Sequence, residues 1–335
     1  MSVFLFNNHA ILSVMKFVIF GTGGVGGYFG GKLARNQTDV WFLARGKHLE
    51  AMNASGLHIN STEGDWVIPP GKMTDDPHKI GRAHVVLFCV KSYDTEVASH
   101  QLQPLLDNNT MIISLQNGID NEEKIKRIIP AGIVYGGVAN IYSTVSAPGV
   151  ISETGGPKKL IFGPIDAEEP ALAARARSVL AELLNAKINA EYTHDIRTAL
   201  WKKFIFITAV GGLTALTRLT LGEILELKET RDLLQKAMRE TQSVALALGI
   251  PIEPSFVDSL FEILKKFDNN TRSSLHYDLT HGKPLEIEAL SGTVVRYGTR
   301  LGISIPIQNT IYSSLLPYHL KHTRLSQQEK NRATA

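Results

Sequence analysis

Runs dominated by apolar residues alternate with helix-compatible stretches through the first half of the chain. The runs occupy residues 16–20, 40–44, 85–90 and 111–115. Stretches with helical spacing lie between them, at residues 28–36 and 94–106. Continuous apolar runs are typical of parallel strands that are buried on both faces. Because strands and helices alternate, the pattern predicts an α/β fold with a doubly wound parallel sheet.

From about Asp195 onward, the pattern changes to long stretches in which apolar residues recur with a 3.6-residue period. Residues 233–248 and 256–267 are examples. Glycine followed by proline a few residues later, at 249–251 and 302–306, is typical of a helix end and a new helix start. The second half is therefore predicted to be all-helical.

The length of 335 residues exceeds what a single core usually organises, so two domains are expected. We predict an N-terminal extension at residues 1–14, a sheet domain at 15–193, a helical domain at 194–320 and a polar tail at 321–335. The extension is apolar but lacks the basic start and cleavage site of a secretory signal. Our hypothesis is that it is disordered, or that Met15 is the native start.

Composition and charge exclude several classes of protein. The 35 Lys and Arg residues against 32 Asp and Glu give a net charge of +3, too small a surplus for a nucleic-acid binder. The single cysteine, Cys89, excludes an intrachain disulfide and a cysteine-based metal cage, and it favours a reducing compartment. The histidines form no ligand motif, and no apolar run reaches a membrane-spanning length. We expect a cytoplasmic protein without metal, membrane or nucleic-acid partners.

A G-x-G-x-x-G motif follows the first predicted strand and opens the first helix. Its residues are Gly21, Thr22, Gly23, Gly24, Val25 and Gly26. Gly21 permits a tight turn, Gly23 lets the backbone approach a pyrophosphate, and Gly26 allows close packing of helix on strand. Such a motif alone is often an incidental turn, but the β-α-β frame favours a dinucleotide site in a Rossmann-type domain.

Arg45 stands at the end of the second predicted strand, where readers of NAD place an acid that binds the ribose hydroxyls. The nearby acid Asp39 precedes that strand and is expected at its opposite end. A guanidinium group suits the 2′-phosphate of NADP. Arg45 therefore predicts NADP rather than NAD, the alternative being an ordinary solvated loop residue.

Polar residues also follow the third and fourth predicted strands, as Lys91 and Asn117. Taken alone, they read as a surface lysine and a turn. Further short motifs follow in order, at residues 147–151, 201–203, 213–216, 273–274 with Asp278, and Glu286 ahead of 291–292. With the glycine loop, and over residues 16–320, this arrangement resembles the ketopantoate reductase family (2-dehydropantoate 2-reductases).

The resemblance implies a Rossmann domain followed by an all-helical domain, and the reduction of 2-dehydropantoate to pantoate by NADPH on the way to pantothenate and coenzyme A. Lys203 matches the proton donor of that family. Asn117 and Ser274 match residues that hold the substrate. Lys91 and Glu286, with Asn117, match residues that line the joint cofactor and substrate cleft.

Each of these residues also has an ordinary structural interpretation. A lysine on an amphipathic helix, such as Lys203, is usually solvated, and its neighbour Lys202 points about 100° away. Ser274 has the residue type of a helix N-cap. Glu286 has the residue type of a first-turn carboxylate that complements a helix dipole.

Three departures from the family pattern leave the substrate open. Ile207 and Gly211 stand where family members commonly carry asparagines, and Leu221 stands where some members carry another substrate-binding asparagine. A pocket without those amides discriminates less for substrate hydroxyls. We therefore keep three alternatives: a ketopantoate reductase, an NADPH-dependent reductase of another branched or bulky 2-oxo acid, and a catalytically silent NADP-binding sensor. The sequence leaves the oligomeric state open, and a homodimer is one possibility.

Overall fold

The structure, a computed structural model, describes residues 15–333, and the side chains of residues 15–325. The predicted N-terminal extension lies outside the described residues. Ten strands in the described part form one sheet. They are β1 (Lys16–Phe20), β2 (Asp39–Leu43), β3 (Leu57–Asn60), β4 (Trp66–Ile68), β5 (Met73–Thr74), β6 (Val85–Phe88), β7 (Met111–Ser114), β8 (Ile133–Ala147), β9 (Val150–Pro164) and β10 (Asn189–Tyr192).

The strand order is β4-β3-β9-β8-β7-β6-β1-β2-β5, and β10 pairs with β9. Strands β8, β7, β6, β1, β2 and β5 run parallel, which confirms the doubly wound parallel sheet. The exceptions are β8 with β9 and β3 with β4, which pair antiparallel. Pro148 and Gly149 form the short connection between β8 and β9, and Gly149 adopts the positive φ of +75° that such a tight turn requires.

The central strands are apolar throughout because both of their faces are covered. In β1, Phe17 and Ile19 pack into a core on one face, whereas Val18 and Phe20 pack into a second core on the other face. All four side chains are buried. Alternate residues of a strand point to opposite faces, so a sheet packed on both sides needs an uninterrupted apolar run.

Five α-helices of the described chain accompany the sheet: α1 (Gly24–Arg35), α2 (Gly46–Ser55), α3 (Thr95–His100), α4 (Asn121–Ile128) and α5 (Pro170–Asn185). The stretch 94–106, predicted to suit one helix, instead contains α3 flanked by 3₁₀ turns at 92–94 and 103–105. Pro104 lacks the backbone N–H that a continuing helix needs, which explains the break.

The rest of the described chain is helical, as predicted. Its helices are α6 (Ile196–Thr217), α7 (Leu221–Glu226), α8 (Lys228–Ala247), α9 (Phe256–Leu264), α10 (Ser274–Thr280), α11 (Ser291–Leu301) and α12 (Pro306–Ala333). They enclose a third apolar core, which is separate from the two cores of the sheet. Helix α12 continues through the described part of the segment that we predicted as a polar tail from residue 321.

Helix α6 is the central helix of this second domain. It packs against α8, α10 and α12 and also against strand β8 of the sheet. It is the one described helix that is long and apolar enough to cross a membrane, but 67% of the relevant window is buried inside the protein. Core helices pass the same test of length and composition. The position of α6 between the two domains brings Lys203 to the sheet.

Candidate active site

The glycine loop is held against the end of the second strand. The backbone N–H groups of Gly21 and Thr22 donate to the main-chain oxygen of Leu43, over 3.3 and 2.9 Å, and the Thr22 hydroxyl donates to the same oxygen over 2.9 Å. Gly21 has a φ of +101°, which favours glycine. Leu43 is the last residue of β2, so the loop lies at the carboxyl edge of the sheet. Arg45 follows Leu43 by two residues.

Three of the four glycines of the motif, Gly23, Gly24 and Gly26, differ in their surroundings. A Cβ added at Gly26 would collide with the main-chain oxygen of Gly21 and lie 2.9 Å from the Ile19 side chain, so Gly26 permits close packing of α1 on β1. A Cβ at Gly24 would collide with the main chain at Ser143. A Cβ at Gly23 would have no atom within 4 Å. Open space beside Gly23, at the N-terminus of α1, fits a pyrophosphate. Val25 packs against the core of the sheet.

Arg45 extends from the end of β2 as the residue before α2, and its side chain is 72% exposed. Its Nη2 lies 2.6 Å from Oδ2 of Asp94, in the turn that follows β6. No sequence motif indicated this ion pair. It holds the guanidinium group at the same edge as the glycine loop.

Glu286 collects three donors from the ends of strands β6 and β7. Its Oε1 accepts the N–H of Ser92 over 3.0 Å, and its Oε2 accepts from Asn117 Nδ2 and Lys91 Nζ, both over 3.3 Å. Lys91 also lies 2.7 Å from Oδ2 of Asp278 in α10. The structure thus brings together Lys91, Asn117 and Glu286, as predicted by the family resemblance, and adds Asp278.

This cluster joins the two domains, because Lys91 and Asn117 belong to the sheet domain, whereas Asp278 and Glu286 belong to the helical domain. Both carboxylates are almost fully buried. Burial alone lowers the pKa of Lys91, but the charges of Glu286 and Asp278 outweigh it and raise the pKa. Burial alone raises the pKa of Glu286, but Lys91 and the Ser92 N–H outweigh it and lower the pKa. Both shifts favour the charged forms of Glu286 and Lys91.

Glu286 stands in the segment between α10 and α11 and not in the first turn of a helix. Its alternative interpretation as a dipole-compensating residue is therefore wrong. Asp278 appeared in the sequence only as part of a family motif, and its contact with Lys91 joins residues 187 positions apart.

Lys203 lies on the side of α6 that faces the sheet. Its ammonium group donates to the main-chain oxygen of Ala139 in β8 over 2.9 Å. Burial lowers the pKa of Lys203 to about 8, although the charge of Glu286 acts in the opposite direction. Lys202 is exposed, and its ammonium group lies 5.8 Å from the ring centroid of Phe256. The two lysines therefore have the different environments that their helical positions predict.

Ser274 is the first residue of α10 and is exposed. The N-cap of α10 is Ser273, whose hydroxyl accepts the N–H of His276 over 3.0 Å and lies 2.7 Å from the Thr214 hydroxyl. The capping interpretation of Ser274 is therefore wrong by one residue. Among the described residues, no hydrogen bond or ion pair joins Ser274 to the Glu286 cluster, and its hydroxyl is not engaged as a cap.

Two of the three departures from the family pattern lie on the helix that carries Lys203. Ile207 is half-buried one turn after Lys203, and Gly211 follows one turn later. A Cβ added at Gly211 would meet the side chain of Leu275 at 3.9 Å, an ordinary contact distance. Leu221 is buried in the helical core at the start of α7. Apolar groups thus follow Lys203 along α6.

Comparison with known proteins identifies the family. Residues 17–167 match the sequence model described as ketopantoate reductase PanE/ApbA, and residues 195–319 match the model of its C-terminal domain. The chain belongs to the ketopantoate reductase family. The resemblance stated from the sequence motifs is thereby confirmed, and the family is one of NAD(P)-dependent oxidoreductases.

Relatives and solved structures cover almost the whole chain. An uncharacterized oxidoreductase, YkpB, from Bacillus subtilis is 29% identical over 91% of this chain and 99% of its own length. A 2-dehydropantoate 2-reductase from Nostoc is 28% identical over 90% and 94%. The crystal structure of a PanE/ApbA family ketopantoate reductase from Ralstonia eutropha superposes with a TM-score of 0.83 at 29% identity, covering 92% of this chain and 100% of that one.

Proposed function

We propose that this chain is an NADPH-dependent 2-dehydropantoate 2-reductase, which reduces the C2 ketone of 2-dehydropantoate to the alcohol of pantoate. The observation that carries the proposal is Lys203, a lysine with a pKa of about 8 at the contact between the two domains. Such a lysine is protonated at neutral pH and releases its proton easily, as a general acid must.

The dinucleotide is proposed to bind at the carboxyl edge of the sheet. Backbone N–H groups at Gly23 and Gly24 would hold the pyrophosphate, and Arg45 would hold the 2′-phosphate. When bound, the nicotinamide supplies the hydride. The open space beside Gly23 supports this placement.

Lys203 is proposed to hold a proton for the oxygen of the substrate ketone. Its ammonium group already donates to the oxygen of Ala139, so a second of its three N–H groups is available to a substrate oxygen. As the ketone oxygen gains negative charge, the ammonium group stabilises it and then transfers the proton. Lys203 becomes a neutral amine and takes up a proton from solvent before the next turnover.

Glu286 is proposed to orient the groups around the reacting centre. From the helical domain, it fixes Asn117 and Lys91 of the sheet domain through two hydrogen bonds. Asn117 and Ser274 would donate to the substrate carboxylate or hydroxyl, because amide and hydroxyl groups serve that purpose without adding charge. The contacts of Asn117 and the exposed hydroxyl of Ser274 support these roles.

The decisive experiment follows the nicotinamide absorbance of NADPH after each acid of a panel of 2-oxo acids is added to the purified protein. Efficient oxidation of NADPH with 2-dehydropantoate supports the proposal. Efficient oxidation with another branched or bulky 2-oxo acid, but not with 2-dehydropantoate, would show that the proposed substrate is wrong and that the proposed reaction type is right. Tight NADPH binding without turnover on any acid supports the silent sensor instead.

Another 2-oxo acid is a second candidate substrate because of the apolar groups beside Lys203. Ile207 and Gly211 offer no donor to a substrate hydroxyl, and the nearby Leu275 adds apolar surface. If Ile207 and Gly211 line the substrate pocket, the single variants Ile207→Asn and Gly211→Asn should raise kcat/KM for 2-dehydropantoate relative to kcat/KM for an apolar analogue such as 2-oxoisovalerate. An unchanged ratio of kcat/KM for the two acids would remove this candidate.

The cytoplasmic location and the homodimer stay predictions.

A further inference from the structure

The ion pair between Arg45 and Asp94 lies across the proposed adenosine site. Arg45 follows β2 and Asp94 follows β6, and these strands flank β1 on its two sides. The glycine loop begins where β1 ends. The pair, with a distance of 2.6 Å between Nη2 and Oδ2, therefore joins the two neighbours of the strand from which the glycine loop emerges.

We propose that Asp94 is a specificity-determining residue that limits the preference of this enzyme for NADPH over NADH. The inference rests on the proposed function, in which Arg45 receives the 2′-phosphate of NADPH. It assigns the size of the cofactor preference to a second residue, which lies 49 positions further along the chain.

For two electrostatic reasons, Asp94 should weaken the binding of a 2′-phosphate at Arg45. The carboxylate occupies part of the guanidinium fork that would otherwise hold the phosphate, and fork-to-phosphate pairing depends on two parallel N–H donors. A phosphate on Arg45 would also stand close to the negative charge of Asp94. The side chains are 72% and 27% exposed, so water and salt screen the repulsion without removing it.

The same carboxylate is suited to the ribose of NADH. An acid near the end of the second strand usually accepts hydrogen bonds from the ribose hydroxyls in NAD-binding domains. This chain has Arg45 at that place, and the ion pair brings an acid there from the turn after β6, on the other side of β1. Asp94 therefore disfavours the cofactor with the extra phosphate and tolerates the cofactor without it.

Within the described part of the chain, the pair with Arg45 is the one hydrogen bond or salt bridge that the Asp94 side chain makes. Asp94 precedes α3, and its side chain makes no capping hydrogen bond to the helix. Exposed ion pairs contribute little to folding stability. The variants Asp94→Asn and Asp94→Ala are therefore expected to fold, which far-ultraviolet circular dichroism checks.

The test compares the dissociation constants of NADPH and NADH for wild type and Asp94→Asn, measured by fluorescence titration without substrate. Adenosine 2′,5′-bisphosphate and adenosine 5′-monophosphate serve as probes that lack the nicotinamide. NADPH and the bisphosphate should bind about tenfold more tightly to the variant. NADH and the monophosphate should bind equally well or more weakly. Asp94→Ala should shift the same ratio in the same direction.

Glu96→Gln is the matched control, because Glu96 is an exposed carboxylate two residues further along the same segment. It removes the same charge and should leave the ratio of NADPH to NADH affinity unchanged. An unchanged ratio in Asp94→Asn, or an equal shift in Glu96→Gln, overturns the inference. If Arg45→Ala weakens NADPH while Asp94→Asn has no effect, the inference fails and the proposed cofactor stands. If wild type binds neither dinucleotide, the proposed function itself fails.

Discussion

The ammonium group of Lys203 donates a hydrogen bond to the main-chain oxygen of Ala139 across 2.9 Å, from the first helix of the helical domain to a strand of the sheet domain. This contact keeps the lysine at the junction of the domains, where burial lowers its pKa to about 8. Because the same junction contains Glu286, Lys91 and Asn117, the acid of the proposed reaction lies near the groups proposed to orient its substrate.

Replacement of Lys203 by methionine should strongly slow NADPH oxidation while leaving NADPH binding intact. The variant keeps the side-chain length and apolar stem but removes the proton donor, a loss of about 10²–10⁴-fold in kcat. Stopped-flow absorbance measures hydride transfer, and fluorescence titration measures binding. Lys202→Met, at the exposed neighbour, is the matched control and should stay near wild-type rates. Turnover of Lys203→Met close to wild type would contradict the proposed role.

The rate of ketone reduction should fall at alkaline pH. Protonated Lys203 is the active form, so kcat/KM for the 2-oxo acid should be level below its pKa and decline as pH rises past about 8. Initial rates at saturating NADPH, measured across a series of buffers of constant ionic strength, give the profile. A level profile up to about pH 10 would show that another group supplies the proton.

Lys203→Met should also stabilise the fold, by about 1–2 kcal/mol at neutral pH, because burying an ammonium group is costly. The pKa falls from 10.5 to about 8 on folding, so the unfolded chain binds more protons between these values. Wild-type stability therefore rises with pH in that window. The gain in free energy of unfolding of Lys203→Met over wild type should be largest below about pH 8 and should shrink towards pH 10.5. Urea unfolding at several pH values tests this, and a variant less stable than wild type at pH 7 would contradict it.

Alanine at Gly23 and at Gly26 should separate nucleotide binding from folding. Gly23 has a φ of −85° and open space at its Cβ position, so Gly23→Ala should keep wild-type stability while binding NADPH about tenfold more weakly. Gly26→Ala should lose about 1–3 kcal/mol, because its methyl group collides with the backbone of Gly21. Thermal unfolding and NADPH titration distinguish the two. Equal NADPH affinity in Gly23→Ala and wild type would place the pyrophosphate elsewhere.

The sheet and the helical domain could be predicted from sequence because their evidence is local. Each central strand is a buried apolar run, and the glycine motif stands directly after β1. The long β8–β9 hairpin escaped prediction. Glycine pairs at 136–137 and 155–156 lie within its strands and interrupt the apolar pattern that indicates a strand.

The candidate site could be predicted where residues follow strands or match a family motif, as with Lys91, Asn117 and Glu286. The ion pairs of Arg45 with Asp94 and of Lys91 with Asp278 could not, because each joins segments far apart in the chain. The N-cap of α10 was misplaced from Ser273 to Ser274 because two adjacent serines satisfy the same preference. Only backbone geometry distinguishes them.

The most direct test of the central claim is a titration of the purified protein with NADPH and with NADH, followed by nicotinamide fluorescence. The account predicts saturable binding of NADPH at one site per chain, and weaker NADPH binding in Arg45→Ala. Absence of binding by either dinucleotide would contradict the glycine loop as a cofactor site and, with it, the proposed reaction.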